Sequence, residues 1–142
     1  MREILFRGKT PVRGEWVYGD LIQIADGRKF IVNNKFGACI DEKGNFINTE
    51  YPFVNEVIPE TVGQFTGLTD KNGKKIFEGD IVKTGSLQGK IVFNTKSCGF
   101  EFWYNIVVGA YGERATHKIN LSTMRNYIVI GNIHDNPELL EV

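Results

Sequence analysis

The sequence predicts a mostly β protein made of two β subdomains, residues 1–60 and 61–142. The second is read as a small SH3-like barrel that ends in a short C-terminal helix. Three observations predict this. Apolar residues recur at every second position, as in Trp16, Tyr18, Ile22 and Ile24, the period that puts side chains on one face of a strand. Sixteen glycines among 142 residues exceed the usual share and are interleaved with aromatic and β-branched residues, the pattern of short strands joined by tight turns. Between Phe77 and Ile133, about five strand-like runs follow one another closely, which suits a small barrel.

The elements follow in order. Residues 3–7 read as a first strand with Ile4 and Phe6 on one face. Residues 15–25 form a second strand, in which Gly19-Asp20 marks a bulge or bend. Asp26-Gly27 then predicts a hairpin, with both turn residues at positive φ, leading into Lys29-Phe30-Ile31-Val32. Ala38-Cys39-Ile40 and Asn45-Phe46-Ile47 flank a turn at Glu42-Lys43-Gly44. Residues 51–59 hold two prolines and read as a linker, with 54–58 as an edge strand or, without a good cap, a short helix.

The second half is more regular. Residues 61–68 are a strand and 69–73 a turn. Residues 75–77 lead into Glu78-Gly79-Asp80, where Gly79 allows a tight turn and Asp80 accepts local backbone N–H bonds. Strands follow at 81–84, 90–94, 100–108, 117–121 and 127–133, separated by turns at 85–89, 95–99 and 109–116. At the end, Asn136 is placed to cap a helical turn with Pro137 at its first position and Glu138 in its first turn.

Composition narrows the function classes. Seventeen basic and seventeen acidic residues give a formal charge of zero, so bulk duplex DNA and anionic membranes are not the expected partners. The N-terminus lacks the apolar stretch of a signal peptide, and no apolar run reaches the ~18 residues of a membrane span. Cys39 and Cys98 then read as free thiols in a reducing, cytoplasmic setting, where the sequon Asn120-Leu121-Ser122 is silent.

Two stretches carry a family resemblance. One is Val62-Gly63-Gln64-Phe65-Thr66-Gly67-Leu68-Thr69-Asp70-Lys71-Asn72-Gly73, followed by Ile76-Phe77-Glu78-Gly79-Asp80-Ile81-Val82. The other is Ile130-Gly131-Asn132-Ile133, followed by Asn136-Pro137-Glu138-Leu139-Leu140. Together with Arg2-Glu3-Ile4-Leu5-Phe6-Arg7-Gly8 and Trp16-Val17-Tyr18-Gly19, they resemble the YopX family over nearly the whole chain. The resemblance implies a phage or prophage protein of the host bacterial cytosol, without an assigned activity. It also implies a mostly β fold with a small C-terminal barrel, and self-assembly. It brings no catalytic residues.

Candidate chemistry is sparse. Gly85-Ser86-Leu87-Gln88-Gly89-Lys90 is similar to a phosphate loop but one residue short, and a strand rather than a helix follows, so it reads as a hairpin turn. Cys39, Cys98, His117 and His134 lack the close spacing that preorganises zinc. Cys98, with Lys96 nearby, is the better of two weak nucleophile candidates. No catalytic residue, cofactor or metal is expected. The stretch 67–96 carries Lys71, Lys74, Lys75, Lys83, Lys90 and Lys96 against Asp70, Glu78 and Asp80, an excess of three positive charges. Beside the aromatic run Phe100, Phe102, Trp103 and Tyr104, these lysines could contact single-stranded nucleic acid. Equally, alternate aromatics fill a core while lysines solubilise an edge. Apolar residues on both faces, as in Phe102-Trp103 and Tyr127-Ile128-Val129-Ile130, point to burial against the rest of the domain or another copy.

The reading is a non-enzymatic module that self-assembles as a homo-oligomer or binds a phage or host protein. Trp103, Tyr104, Leu139 and Leu140 are the candidate contacts. Single-stranded nucleic-acid binding is the alternative.

Overall fold

A computed structural model describes residues 2–33, 42, 43, 54–121 and 126–140. Cys39, the strands expected at 38–40 and 45–47, and Ser122 lie outside these residues. The fold is mostly β with two antiparallel sheets, and the chain divides into two compact units, Met1–Gln64 and Phe65–Val142.

In the first unit, β1 (Phe6–Lys9), β2 (Trp16–Gln23), β3 (Lys29–Asn33) and β4 (Val54–Val57) pair in the order β4-β3-β2-β1. A 3-10 helix, Pro59–Thr61, leads into β5 (Gly63–Thr69), whose first residues pair with β1. The Thr61 hydroxyl secures that corner: it donates to the Ile58 carbonyl (2.6 Å) and accepts from the Lys9 N–H (2.9 Å).

The β2–β3 hairpin forms as expected, but by a different turn. Gly27 takes φ 95°, whereas Asp26 keeps a negative φ. The Ile24 N–H reaches the Arg28 carbonyl across a three-residue loop, which needs one left-handed residue rather than two. The bulge expected at Gly19-Asp20 is not there: β2 and β3 stay in register from Gly19 opposite Asn33 to Gln23 opposite Lys29. Gly19 serves the other purpose of a strand glycine, since a Cβ there would collide with the Val32 carbonyl oxygen.

One face of this sheet carries the buried Ile31 and Val57. The other carries Tyr18, Ile22 and Val54, all exposed. Ile4 precedes β1 and is exposed, so β1 buries Arg7 and Gly8 rather than an Ile4–Phe6 face.

In the second unit, β5 continues to Thr69 and pairs with β6 (Lys75–Phe77). Next come β7 (Asp80–Thr84), β8 (Leu87–Asn94), β9 (Gly99–Val108), β10 (Glu113–Asn120), β11 (Ile128–Asn132) and a 3-10 helix, Pro137–Leu140. The five later strands pair in the order β10-β9-β8-β7-β11. No ladder joins β10 to β11 among the described residues, so this sheet is open rather than the closed barrel the sequence predicts.

Two turns are shorter than expected. Gly85-Ser86 alone links β7 to β8, so the apparent phosphate loop is a hairpin turn with Lys90 inside a strand. Residues 109–112 link β9 to β10, with Gly109 and Gly112 at φ 79° and 73°. Both follow from glycines placed where the turn needs positive φ.

The core gathers Ile76, Val82, Ile91, Phe102, Leu121 and Tyr127, with Phe100, Tyr104, Ile119 and Val129 packed against it. Two aspartates pin the chain around this core. The Asp80 carboxylate accepts the Phe77 N–H (2.8 Å) across Gly79, which adopts φ 89°. The buried Asp70 accepts the N–H groups of Asn72 (2.8 Å), Lys74 (2.9 Å) and Val129 (3.0 Å), fastening the β5–β6 turn to β11. Burial pushes the Asp70 pKa up, but these three N–H bonds outweigh it and hold the carboxyl below its ordinary value.

Candidate functional site

The pairing of β8, β9 and β10 puts Lys90, Trp103 and Lys118 directly opposite one another across three strands, on the face away from Phe102. Alternation forces this split. The even residues Phe100, Phe102 and Tyr104 turn to the core as expected, and Trp103 turns outward. Trp103 is half-buried, because neighbouring side chains cover part of it. The Lys118 ammonium lies 4.0 Å from the indole centroid and that of Lys90 lies 5.9 Å away, both within cation–π reach. The indole N–H donates to Glu101 (2.9 Å), which fixes the ring's orientation.

Glu101 is itself held in place. It accepts from Asn94 Nδ2 (2.9 Å), Trp103 Nε1 (2.9 Å) and Ser97 Oγ (3.1 Å), and these donors, with Lys118, hold its carboxyl below the ordinary range. Farther along the same face, the Thr116 hydroxyl donates to Asn105 Oδ1 (2.8 Å), leaving the Asn105 side-chain NH2 as a donor. Lys83, on β7 opposite Gln88, also faces this side.

The C-terminal 3-10 helix makes the other wall. Gln88 donates to the Leu139 carbonyl, and Leu139 lies over Gly131. A Cβ at Gly131 would fall 3.0 Å from Leu139 Cδ1 and 2.5 Å from Asn136 Oδ1, so only glycine lets this turn sit so close. The Asn136 side chain accepts the Asn132 N–H (3.3 Å), and its backbone carbonyl receives the Leu139 N–H. Between this wall and the sheet lies a groove of about 530 Å³, lined among others by Lys90, Trp103, Asn105, Lys118 and Leu140.

The nominated residues therefore separate. Trp103, Tyr104, Leu139, Leu140 and Lys90 all line the groove, and Lys83 shares its sheet face. Tyr104 stacks between Phe102 (5.1 Å) and His117 (5.7 Å). Lys71, Lys74 and Lys75 sit instead at the β5–β6 turn and strand, where the Lys75 ammonium lies 5.3 Å from the Phe65 ring centroid. Lys96 belongs to the β8–β9 turn. Sequence reasoning misses Lys118: it lies outside the lysine-rich stretch, and only the β9–β10 register brings it to Trp103.

Cys98 is exposed at φ 54° in the β8–β9 turn, with its thiol near the Thr95 carbonyl (3.4 Å). Among the described residues, no three His, Cys, Asp or Glu side chains are grouped to hold a metal ion. Among them, too, no helix is long and apolar enough to cross a membrane.

A family model described as YopX protein matches residues 5–141. No curated protein matches the chain. A similar solved structure is the crystal structure of protein EF1440 from Enterococcus faecalis, at 21% identity and TM-score 0.47, over 99% of each chain.

Proposed function

This chain belongs to the YopX family, and we propose that it is a binding protein, not a catalyst, which assembles as a homo-oligomer. The observation that carries this is the set of exposed apolar side chains on one face of the first sheet, among the described residues. Tyr18 and Ile22 are 44% and 45% exposed, and Ile24 and Val54 beside them are about as open. Exposed apolar residues gathered on one sheet face mark association sites, and a second copy is the occupant we assign. A net charge of zero supplies no long-range repulsion against such pairing. In the second unit, Ile128 and Ile130 on the edge strand β11 are 37% exposed and offer a surface for a phage or host protein.

Light scattering on the full chain tests this. A mass that is a multiple of 16.1 kDa, falling to 16.1 kDa in Ile22→Lys, is expected. A wild-type monomer at high concentration would sink the proposal. A phage or prophage origin, a place in the host cytosol and an SH3-like curl of the second sheet belong to the same reading. They are supported by the resemblance alone, and a crystal structure in which β10 bonds β11 would bear out the barrel.

A second reading, binding of single-stranded nucleic acid, is favoured by one observation: an indole flanked by two ammonium groups along an open groove.

A further inference from the structure

We propose that single-stranded nucleic acid binds in the groove between the outer face of β8–β10 and the C-terminal 3-10 helix, with a base on Trp103 and phosphates on Lys90, Lys118 and Lys83. This deepens the second reading above and rests on it.

The charge pattern selects an anion. None of these three lysines is in an ion pair among the described residues, and they outnumber the nearby carboxylate of Glu101, which attracts Lys118 from a distance. The ring selects a planar group. Glu101 holds the indole at a fixed angle, and a fixed aromatic is a stacking platform for any base. The two preferences are coupled. Lys118 covers the ring, and a base that displaces it exchanges a cation–π contact for a stack and frees the ammonium for a phosphate. A single strand is the form whose unstacked bases are free to lie on an aromatic ring, and this ring lines the groove between the sheet and the Leu139–Leu140 wall. The Asn105 amide, beside the ring on the same face, is a donor for a base edge or sugar.

The test uses the full chain and fluorescein-labelled oligothymidine and oligouridine of about 15 nucleotides, the upper range for one small β domain. Anisotropy is read at low salt, and Trp103 emission is read in a Trp16→Phe background. Quenching of Trp103 is expected on binding. Lys90→Gln with Lys118→Gln should weaken binding by about tenfold or more and flatten the salt dependence by roughly 0.7 for each phosphate no longer neutralised. Trp103→Ala should weaken it by a similar factor, with Trp103→Phe restoring most of it. Lys71→Gln with Lys74→Gln should leave it unchanged.

If the oligonucleotides bind but the weakening follows Lys71 and Lys74 rather than the groove, the groove assignment fails and the second reading stands. If polyglutamate binds as tightly as oligothymidine, the groove reads charge alone and the base-stacking claim fails. If neither oligonucleotide binds at low salt, both fail.

Discussion

Strands β2 and β9 carry nearly the same pattern and end up the opposite way round. In β2 the even residues Tyr18 and Ile22 are exposed, and the buried side of their sheet is built from Ile31 and Val57 on β3 and β4. In β9 the even residues Phe100, Phe102 and Tyr104 face the core, and Trp103 faces the groove. Alternation divides a strand into two faces but does not say which is inside. That depends on what lies opposite. Phe102 meets Ile91 and Ile119 on its neighbouring strands and Tyr127 edge-on at 5.4 Å, while Ile22 pairs with Phe30 on a face whose Tyr18 and Val54 are exposed as well.

The sharpest way to break the comparison is to empty both positions. Phe102→Ala should cost about 3–5 kcal/mol in urea titrations, because it opens a cavity in a packed core. A cost below about 1 kcal/mol would mean that β9 is not the centre of its unit. Asp70→Ala comes next, at about 1–3 kcal/mol, because it strips the acceptor from three backbone N–H groups, two of them in one turn and one on β11. This effect also has a pH signature. The folded-state pKa lies below the unfolded value of about 3.9, so the stabilisation is full above that pH and is lost as pH falls through the folded pKa. Urea titrations across pH should therefore show the gap between wild type and Asp70→Ala narrowing in acid, and a gap of constant size would remove this account. The smallest effect is Ile22→Thr, expected within about 0.5 kcal/mol for the unassembled chain. A large destabilisation there would show that the exposed face of β2 is covered within one chain.

Much of the strand order is legible in the sequence because turn chemistry is local. Asp26-Gly27 and Gly85-Ser86 each announce a reversal through a glycine whose φ is special, and both reversals are present. What sequence does not reveal is anything set by register between strands. Lys90 and Lys118 are 28 positions apart and meet over one indole only because β8 and β10 both pair with β9. Conversely, Lys71, Lys74, Lys75 and Lys96 look like a cluster with Lys83 and Lys90 when read along the chain, yet the turns send them elsewhere. Gly19 shows the same limit: the residue stands out in its strand, but whether it bends the strand or admits a neighbouring carbonyl depends on β3.

The strand order of the second unit also implies a sequence of events in time. β7 to β10 form a meander whose neighbours are joined by short turns, so each pairing closes a small loop. β11 must return past all four to pair with β7, with Ile128 opposite Lys83, a much longer loop to close. Only then does Val129 reach Asp70, 59 residues away. Until that moment β7 offers a bare strand edge, Ile81 and Val82 included, to any other chain emerging nearby. The aspartate at the β5–β6 turn is therefore more than a brace for a finished sheet. It locks the last strand over the edge that a crowded cell would otherwise find first.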